Sequence, residues 1–156
     1  MPIILGIDPG SNITGYGIIN SNGTVHQHVA SGCIRVKTSS GKSLYKIFAE
    51  ISELMNVYQP EEVAIEKVFV HANPNSALKL GEARGAAIVA LTKDDLVIAE
   101  YSSREVKKTV VGYGAAAKNQ MQHMVKLLLK IKNDLQEDEA DALAVAICHA
   151  QHGKKQ

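Results

Sequence analysis

The chain has 156 residues, a length that suits one domain with a substantial hydrophobic core and is short for two. Apolar residues make up 46% and charged residues 21%, a balance typical of a folded protein and not of a disordered one. The 17 basic and 16 acidic residues give a net charge of +1, which excludes a generally basic nucleic-acid coat. Nucleic-acid binding would therefore need a local basic patch.

The two cysteines and the N-terminus bear on the cellular compartment. Cys33 and Cys148 lack CxxC spacing, so we interpret them as small buried hydrophobes in a reduced protein. The first ten residues do not resemble a secretory signal, and no apolar run reaches the length of a membrane span. We expect a cytoplasmic protein with no membrane association.

The first quarter of the chain predicts three antiparallel strands. An apolar run over 3–8 ends at Pro9-Gly10, and two further strands are predicted over 14–20 and 25–36. The dipeptide Asn22-Gly23 between the latter two is a strong hairpin signal. The simplest arrangement is a three-stranded meander.

The period of the apolar residues then changes to that of helices alternating with strands. Helices are predicted over 44–58, 75–92, 115–131 and 138–150, and a short helix follows a cap at Ser102 or Ser103. Strands are predicted over 63–70 and 96–101. Five strands with interspersed helices indicate an α/β fold, a mixed sheet with helices on both faces, in a single domain over 1–156.

Two of the predicted strands carry an acid where apolar residues are the rule. Asp8 ends the first strand, and Pro9 favours an extended geometry that would leave its side chain at the strand's carboxyl end. For Asp8 alone, a turn-stabilising role is the simpler interpretation. Glu66 lies inside an apolar strand, where a carboxylate is costly to bury without a cation or hydrogen-bond partners. A salt bridge to a neighbouring lysine is the alternative for Glu66.

A second acidic pair lies at the start of the last predicted helix. Asp138 and Asp141 are three residues apart and therefore share a face of the helix. Taken alone, this pair is better explained as helix capping, since acids favour the first turn. Taken with Asp8 and Glu66, the four carboxylates suggest a site for hard divalent cations such as Mg²⁺, and a candidate two-metal phosphodiester site.

Six segments, in order and spread over nearly the whole chain, resemble the RuvC family of Holliday-junction resolvases. They are Gly6-Ile7-Asp8-Pro9-Gly10, Thr14-Gly15-Tyr16-Gly17, Ile65-Glu66-Lys67-Val68-Phe69, and the stretches 78–85, 106–112 and 138–144. The combination is far more specific than the four acids alone.

The resemblance implies a ribonuclease-H-like fold and a homodimeric endonuclease that makes paired, symmetric nicks in four-way DNA junctions during recombination and repair. It implies that Asp8, Glu66, Asp138 and Asp141 are catalytic and bind Mg²⁺, for which Mn²⁺ can substitute, with two ions in each active site. Such metals would activate the attacking water and neutralise the leaving 3′-oxygen, giving 5′-phosphate and 3′-hydroxyl ends. A branch-migration helicase complex is the expected further partner.

Three more residues match family positions implicated in DNA binding. Lys107 and Lys118 are expected to contact phosphates and stabilise transition-state charge, although a solvated helix face also explains lysines at such positions. Phe69 is expected to stack on an unpaired base near the junction centre, against the simpler alternative of core packing. The following loop, 70–76, departs from the commonest family wording, which bears on sequence preference more than on chemistry.

Other functions remain open from the sequence. A related nuclease acting on RNA shares the Asp8 motif, and a junction-binding scaffold without cleavage would not need four acids. An actin-like ATP-binding module would need two domains, and the chain is too short for them. The small residues Gly81, Gly85, Ala86 and Ala87 fit either a dimer surface or a helix packed on the sheet.

Overall fold

The computed structural model describes residues 1–37, 40–68 and 73–153. The strands are β1 Ile3–Asp8, β2 Ile13–Ser21, β3 His26–Arg35, β4 Glu62–Glu66 and β5 Ile98–Tyr101. The helices are α1 Gly41–Tyr58, α2 Pro74–Leu91, α3 Ser103–Val111, α4 Lys118–Leu129 and α5 Glu137–His152. The predicted α/β class and the five-stranded mixed sheet are confirmed.

The sheet has the strand order β3-β2-β1-β4-β5. Strands β1, β2 and β3 form the predicted antiparallel meander, and β4 and β5 run parallel to β1. The hairpin between β2 and β3 turns at the predicted Asn22-Gly23, where the Asn22 carboxamide oxygen accepts hydrogen bonds from the backbone of Thr24 and Val25 at 2.9 and 2.8 Å. Gly23 supplies a positive φ of 93° in this turn.

Alternate residues of the strands face two separate cores. On β1, Leu5 and Ile7 point to the core under α1 and α2, whereas Ile4 points to the core under α3, α4 and α5. Helices therefore cover both faces, as predicted. Helix α5 is apolar on nearly every side because it lies between the sheet and the two other helices of its layer.

Helix α5 lies unusually close to the sheet because three glycines leave room for it. Gly6 and Gly17 are directly paired across β1 and β2, and Gly15 lies two residues along the same face. A Cβ on Gly6 would lie 2.7 Å from the backbone nitrogen of Ala146, and one on Gly17 would lie 2.7 Å from Leu143. A Cβ on Gly15 would collide with the carbonyl oxygen of Asp138. Side chains at these positions would push α5 off the sheet.

The strand predicted over 63–70 ends at Glu66 in the structure, so Glu66 is its last residue instead of an interior one, and positions 69–70 of the prediction lie outside the described residues. The last β1–β4 pair is Ile7 with Ile65, because β1 ends at Asp8 and the chain turns away at Pro9. Beyond Glu66 the strand would have no partner on the β1 side.

Other predicted boundaries also shift, by one to three residues. Strand β5 begins at Ile98 and not at 96, since its first pair with β4 is Val63 with Ile98 and Asp95 adopts a positive φ of 56°. Helix α4 spans Lys118–Leu129 and not 115–131, because Ala117 is extended and Lys130 is left-handed. Helix α5 begins at Glu137, one residue before the predicted start, and Ser102 is the cap of α3.

Helix α2 buries Ala83, Ala87, Ala90 and Leu91 against the core it shares with α1. A Cβ on Gly81 or Gly85 would meet nothing within 4 Å, so the glycine face of α2 is turned away from the sheet. Cys148 is buried as predicted, whereas Cys33 is only half-buried, which corrects the expectation for it. None of the helices in the described part of the chain combines the length and apolarity that crossing a membrane requires.

Candidate active site

Asp8 and Glu66 lie side by side at one edge of the sheet. Each is the last residue of its strand, and each follows a residue of the final β1–β4 pair, Ile7 and Ile65. Ile7 and Ile65 face the α1–α2 core, so the next residue on each strand faces α5. The two parallel strands therefore deliver both carboxylates to the same face of the same edge.

The first two turns of α5 bring two more carboxylates to this edge. One ligand oxygen from each of Asp8, Asp138 and Asp141 can be chosen so that the three atoms lie within 4.8 Å of one another. The close contact of Gly15 with the Asp138 carbonyl sets this separation, because it fixes the height of the helix above the sheet. Residues from opposite ends of the sequence, Asp8 and the pair Asp138 and Asp141, thus form one acidic cluster.

Glu66 adjoins the cluster of three. Its carboxyl group is hydrogen-bonded to that of Asp8, and its charge acts on Asp141. Glu66 and Asp141 also line a small cavity of about 70 Å³ together with Lys107 and Lys118. All four predicted carboxylates and both predicted lysines therefore border one site.

The acids of this site repel one another. Burial, the hydrogen bond with Glu66 and the negative charges of Glu66, Asp141 and Asp138 raise the pKa of Asp8 far above its usual range. Burial and the charge of Glu66 raise the pKa of Asp141 to about 7, although Lys118 acts in the opposite direction. At neutral pH and without a bound metal, at least one of these carboxyl groups is therefore protonated.

A divalent cation fits this donor set. The ligands are carboxylate oxygens, which hard cations such as Mg²⁺, Mn²⁺ and Ca²⁺ prefer, and no thiol or imidazole belongs to the cluster of three. A bound cation would also remove the mutual repulsion that raises the pKa of both aspartates.

The two lysines differ in their surroundings. Lys118 is exposed and its ammonium group donates to the Glu137 carboxylate, a bond that raises the pKa of Lys118. Lys107 lies on α3 and is half-buried in the wall of the small cavity. Both lysines line the small cavity that Glu66 and Asp141 also border.

The structure separates the simpler explanations for the acids: Asp138 does lie in the first turn of α5, where acids are favourable, but the specific turn, cap and salt-bridge roles belong to other residues. The turn at Pro9-Gly10 is closed by Thr14, whose hydroxyl donates to the Gly10 carbonyl oxygen at 3.4 Å. Asp138 is not the cap of α5, since Gln136 holds that position and its backbone N–H donates to Glu139. Among the described residues, the ion pairs do not include Glu66.

Sequence reasoning missed the groups that hold α5 in place. The Ser31 hydroxyl donates to Glu139 at 2.6 Å, and the Arg35 guanidinium donates to Gln136. These bonds hold the start of α5 against β3. Their partners are more than 100 residues apart in the sequence, so no local sequence pattern predicts them. The alternation of Gly15 and Gly17 on β2 was the visible signal for close helix packing. Phe69, predicted to contact DNA, lies outside the described residues.

The strand order and the acidic edge define this chain as a member of the ribonuclease-H-like class. The family model described as "Crossover junction endodeoxyribonuclease RuvC" matches residues 4–149. The chain belongs to the RuvC family of crossover junction endodeoxyribonucleases and is an endonuclease of that kind.

Curated relatives are similar in sequence to this chain over nearly its whole length. The crossover junction endodeoxyribonuclease RuvC of Legionella pneumophila (strain Corby) is 55% identical over 152 residues, which cover 96% of this chain and 87% of the relative. The protein of the same name from Shewanella piezotolerans is 56% identical over the same shares. The family's reaction depends on metal, which agrees with the acidic cluster found here.

Solved structures agree as well. The structure described as Thermus thermophilus RuvC in complex with Holliday junction substrate superposes with a TM-score of 0.92 and 28% identity, covering 99% of this chain and 96% of that one. The yeast mitochondrial Holliday junction resolvase Ydc2 has a TM-score of 0.65 at 14% identity, covering 95% of this chain and 77% of that one, and shares the fold. The expected ribonuclease-H-like fold is confirmed.

Proposed function

We propose that this chain, acting as one nuclease domain over 1–156, resolves Holliday junctions by paired, symmetric nicks that leave 5′-phosphate and 3′-hydroxyl ends. The observation that carries the proposal is the acidic cluster of Asp8, Asp138 and Asp141 at the sheet edge, with Glu66 beside it. The likeness to a RuvC that was solved with Holliday junction substrate supports the choice of DNA.

The four carboxylates are proposed to hold Mg²⁺, with Mn²⁺ as a substitute and two ions in each site. When bound, the metal supplies an activated water and neutralises charge on the leaving oxygen. The chain itself holds the ligands in position. Strands β1 and β4 position Asp8 and Glu66, and the close packing of α5 on the sheet positions Asp138 and Asp141. Rigid ligands of this kind need little rearrangement when the substrate binds.

Lys107 and Lys118 are proposed to bind the phosphate that is cut. Both line the small cavity that Glu66 and Asp141 also border, so a phosphodiester at the acids would lie within reach of both ammonium groups. Their positive charge would stabilise the extra negative charge of the transition state. Phe69 is proposed to stack on a base near the junction centre, on the strength of the family resemblance alone.

The exposed face of α2 is proposed as the surface of a homodimer. Leu78 and Val89 are 64% and 60% exposed, and Gly81 and Gly85 between them have open space above their backbone. A second copy would cover this apolar stripe and place two active sites in one symmetric particle, as two symmetric cuts require. The proposed setting is the cytoplasm, and the proposed further partner is a branch-migration helicase complex.

The reaction is tested by a nicking assay on a synthetic four-way junction with Mg²⁺, using linear duplex as a control. Paired, symmetric nicks on the junction, absent on duplex and absent without metal, would support the proposal. Binding without cutting, over a range of metals and junction sequences, would favour the non-cleaving scaffold. Cleavage of RNA hybrids in preference to junctions would favour the related RNA nuclease.

A further inference from the structure

Four basic side chains cluster where β3 ends and α1 begins. Arg35, Lys37, Lys42 and Lys46 surround a concave surface of about 610 Å³, with Val36 and Ser43 completing its wall. We call this set of four the β3–α1 basic surface. We propose that it binds backbone phosphates of the DNA strand that runs into the active site, an inference that rests on the proposed function.

The β3–α1 basic surface lies on the same edge of the sheet as the carboxylates. Strands β1 and β3 are both antiparallel to β2, so their carboxyl ends meet at one edge. Two strand spacings separate them, about 10 Å at roughly 4.8 Å each. The backbone N–H of Val36 donates to Asn12 at 2.9 Å, which holds the end of β3 against the turn that follows Asp8.

Direct contacts join this surface to the acidic cluster. The Arg35 guanidinium donates to the side chain of Gln136, which is the cap of α5 and lies two residues before Asp138. The Lys46 ammonium donates to the Arg35 carbonyl oxygen at 2.7 Å and so ties α1 to the end of β3. Because of these contacts, the basic surface and the carboxylates have a fixed relative position.

The positive charges of this surface are not neutralised within the described part of the chain. The ion pairs found there involve none of the four residues, whereas Lys118 and Lys126 on α4 each contact a carboxylate. Lys37 and Lys42 are exposed to solvent. Exposed cations beside a site for a polyanion are the expected signature of phosphate binding.

The order of charges along the edge matches the path of a single strand. The basic surface lies at the β3 end of the strand order, and Lys107 lies on α3, the helix that follows β5 at the other end. A strand crossing the edge in the direction of the strand order would pass the basic surface, then the acids, then Lys107. At a rise of about 3.4 Å per nucleotide, 10 Å places the first contact about three nucleotides from the cut phosphate.

The test uses a double variant that carries both Lys37→Gln and Lys42→Gln. Its control is the variant Lys93→Gln. Lys93 follows α2 at the opposite end of the sheet, where its ammonium donates to Asn56 at 2.6 Å. Junction binding is measured by fluorescence anisotropy without metal over a series of salt concentrations. Each lost phosphate contact makes the negative slope of log affinity against log salt shallower by about 0.9. The slope of the double variant should therefore be shallower by about 2, and the slope of the control should equal that of wild type. An unchanged slope in the double variant, or an equal loss in the control, would overturn the proposal.

Neutral phosphates locate the contact on the DNA. Junctions carrying a single methylphosphonate two to four nucleotides from the cut position should bind wild type more weakly. The loss should be about the factor by which one of the two lysine substitutions weakens binding. The double variant should bind them as it binds the unmodified junction. An equal loss in wild type and variant at every position would contradict the proposed contact. Wild-type protein that shows the expected slopes but cuts no junction would support the basic surface and contradict the proposed function.

Discussion

Helix α5 carries a group of titratable side chains at each end, and the two groups are built differently. At its start, Asp8, Asp138, Asp141 and Glu66 face one another with no cation between them among the described residues, and burial and repulsion raise the pKa of Asp8 and Asp141. At its end, His149 lies between Glu62 and Tyr101, with its ring nitrogens 2.7 and 2.8 Å from their oxygens. We call this second group the Glu62–His149–Tyr101 triad.

The triad satisfies its own hydrogen bonds. A carboxylate only accepts, so the ring nitrogen that faces Glu62 carries a proton, and the other ring nitrogen is hydrogen-bonded to the Tyr101 hydroxyl. Burial raises the pKa of Tyr101 to about 12, which keeps that hydroxyl protonated. The triad, beside a cavity of about 600 Å³, joins β4, β5 and the end of α5, whereas Glu66 and Asp141 border a cavity of only about 70 Å³. Mutual repulsion among acids, and not cavity size, distinguishes the end of the helix that we propose to be functional.

The largest expected effect is on catalysis at the acidic end. Asp8→Asn removes a carboxylate that can bind a metal without changing the size of the side chain, so we expect the nicking rate to fall by at least about 10²-fold. Junction binding should persist, because Asp8 contributes no positive charge to it. Nicking and anisotropy assays on the same preparation measure both quantities. Loss of binding together with cutting would mean that Asp8 has a structural role.

A change that disturbs the close packing of α5 on the sheet should affect both function and stability. Gly15→Ala adds a methyl group that collides with the Asp138 carbonyl, so we expect a loss of about 1–3 kcal/mol in the free energy of unfolding. Displaced carboxylates should also lower the nicking rate, by up to about 10²-fold. Gly41→Ala is the control, since a Cβ there meets nothing within 4 Å. Equal behaviour of the two variants would show that close packing at Gly15 does not position the acids.

The raised pKa of Asp141 predicts a pH dependence for the metal-free protein. Its pKa rises from 3.8 to about 7 on folding, so the folded state binds more protons in this range and stability falls as pH rises from about 4 through about 7. Asp141→Asn should remove this loss and stabilise the metal-free protein by about 1–4 kcal/mol at pH 8, but not at pH 4. Urea unfolding at the two pH values measures the difference. A variant no more stable than wild type at pH 8 would contradict it.

The smallest expected effect is at the triad, and it concerns stability alone. His149→Ala leaves two polar groups without their partner and should cost about 1–3 kcal/mol, or roughly 2–9 °C in Tm. The nicking rate below the transition should match that of wild type. His123→Ala, at an exposed position on α4, is the control. A large loss of nicking in His149→Ala would remove the distinction between the two ends of α5.

The sequence predicted this fold and site best where local pattern decides structure. The strand ending at Asp8-Pro9, the Asn22-Gly23 turn and the apolar helix that carries Asp138 and Asp141 all follow from periodicity and backbone preference. The position of Glu66 at a strand end did not, because that end depends on where β1 stops pairing with β4.

Contacts between distant segments were beyond local reasoning. The bond from Ser31 to Glu139 and the opening of the Gly81–Gly85 face away from the sheet depend on tertiary packing. The β3–α1 basic surface likewise combines lysines from two elements, none of which stands out in the sequence. The family resemblance supplied the roles of the acids, which spacing alone left open between capping and metal binding.

The central claim, that repulsion among the acids marks a metal site, is tested most directly by thermal unfolding of wild type and Asp8→Asn at pH 8 with and without Mg²⁺. Without metal the variant should have the higher Tm, because the raised pKa of Asp8 means that wild type must take up a proton to fold at pH 8, a cost that asparagine does not have. Added Mg²⁺ should raise the Tm of wild type and have little effect on the variant. A variant less stable than wild type without metal, and equal responses of the two proteins to Mg²⁺, would contradict the account.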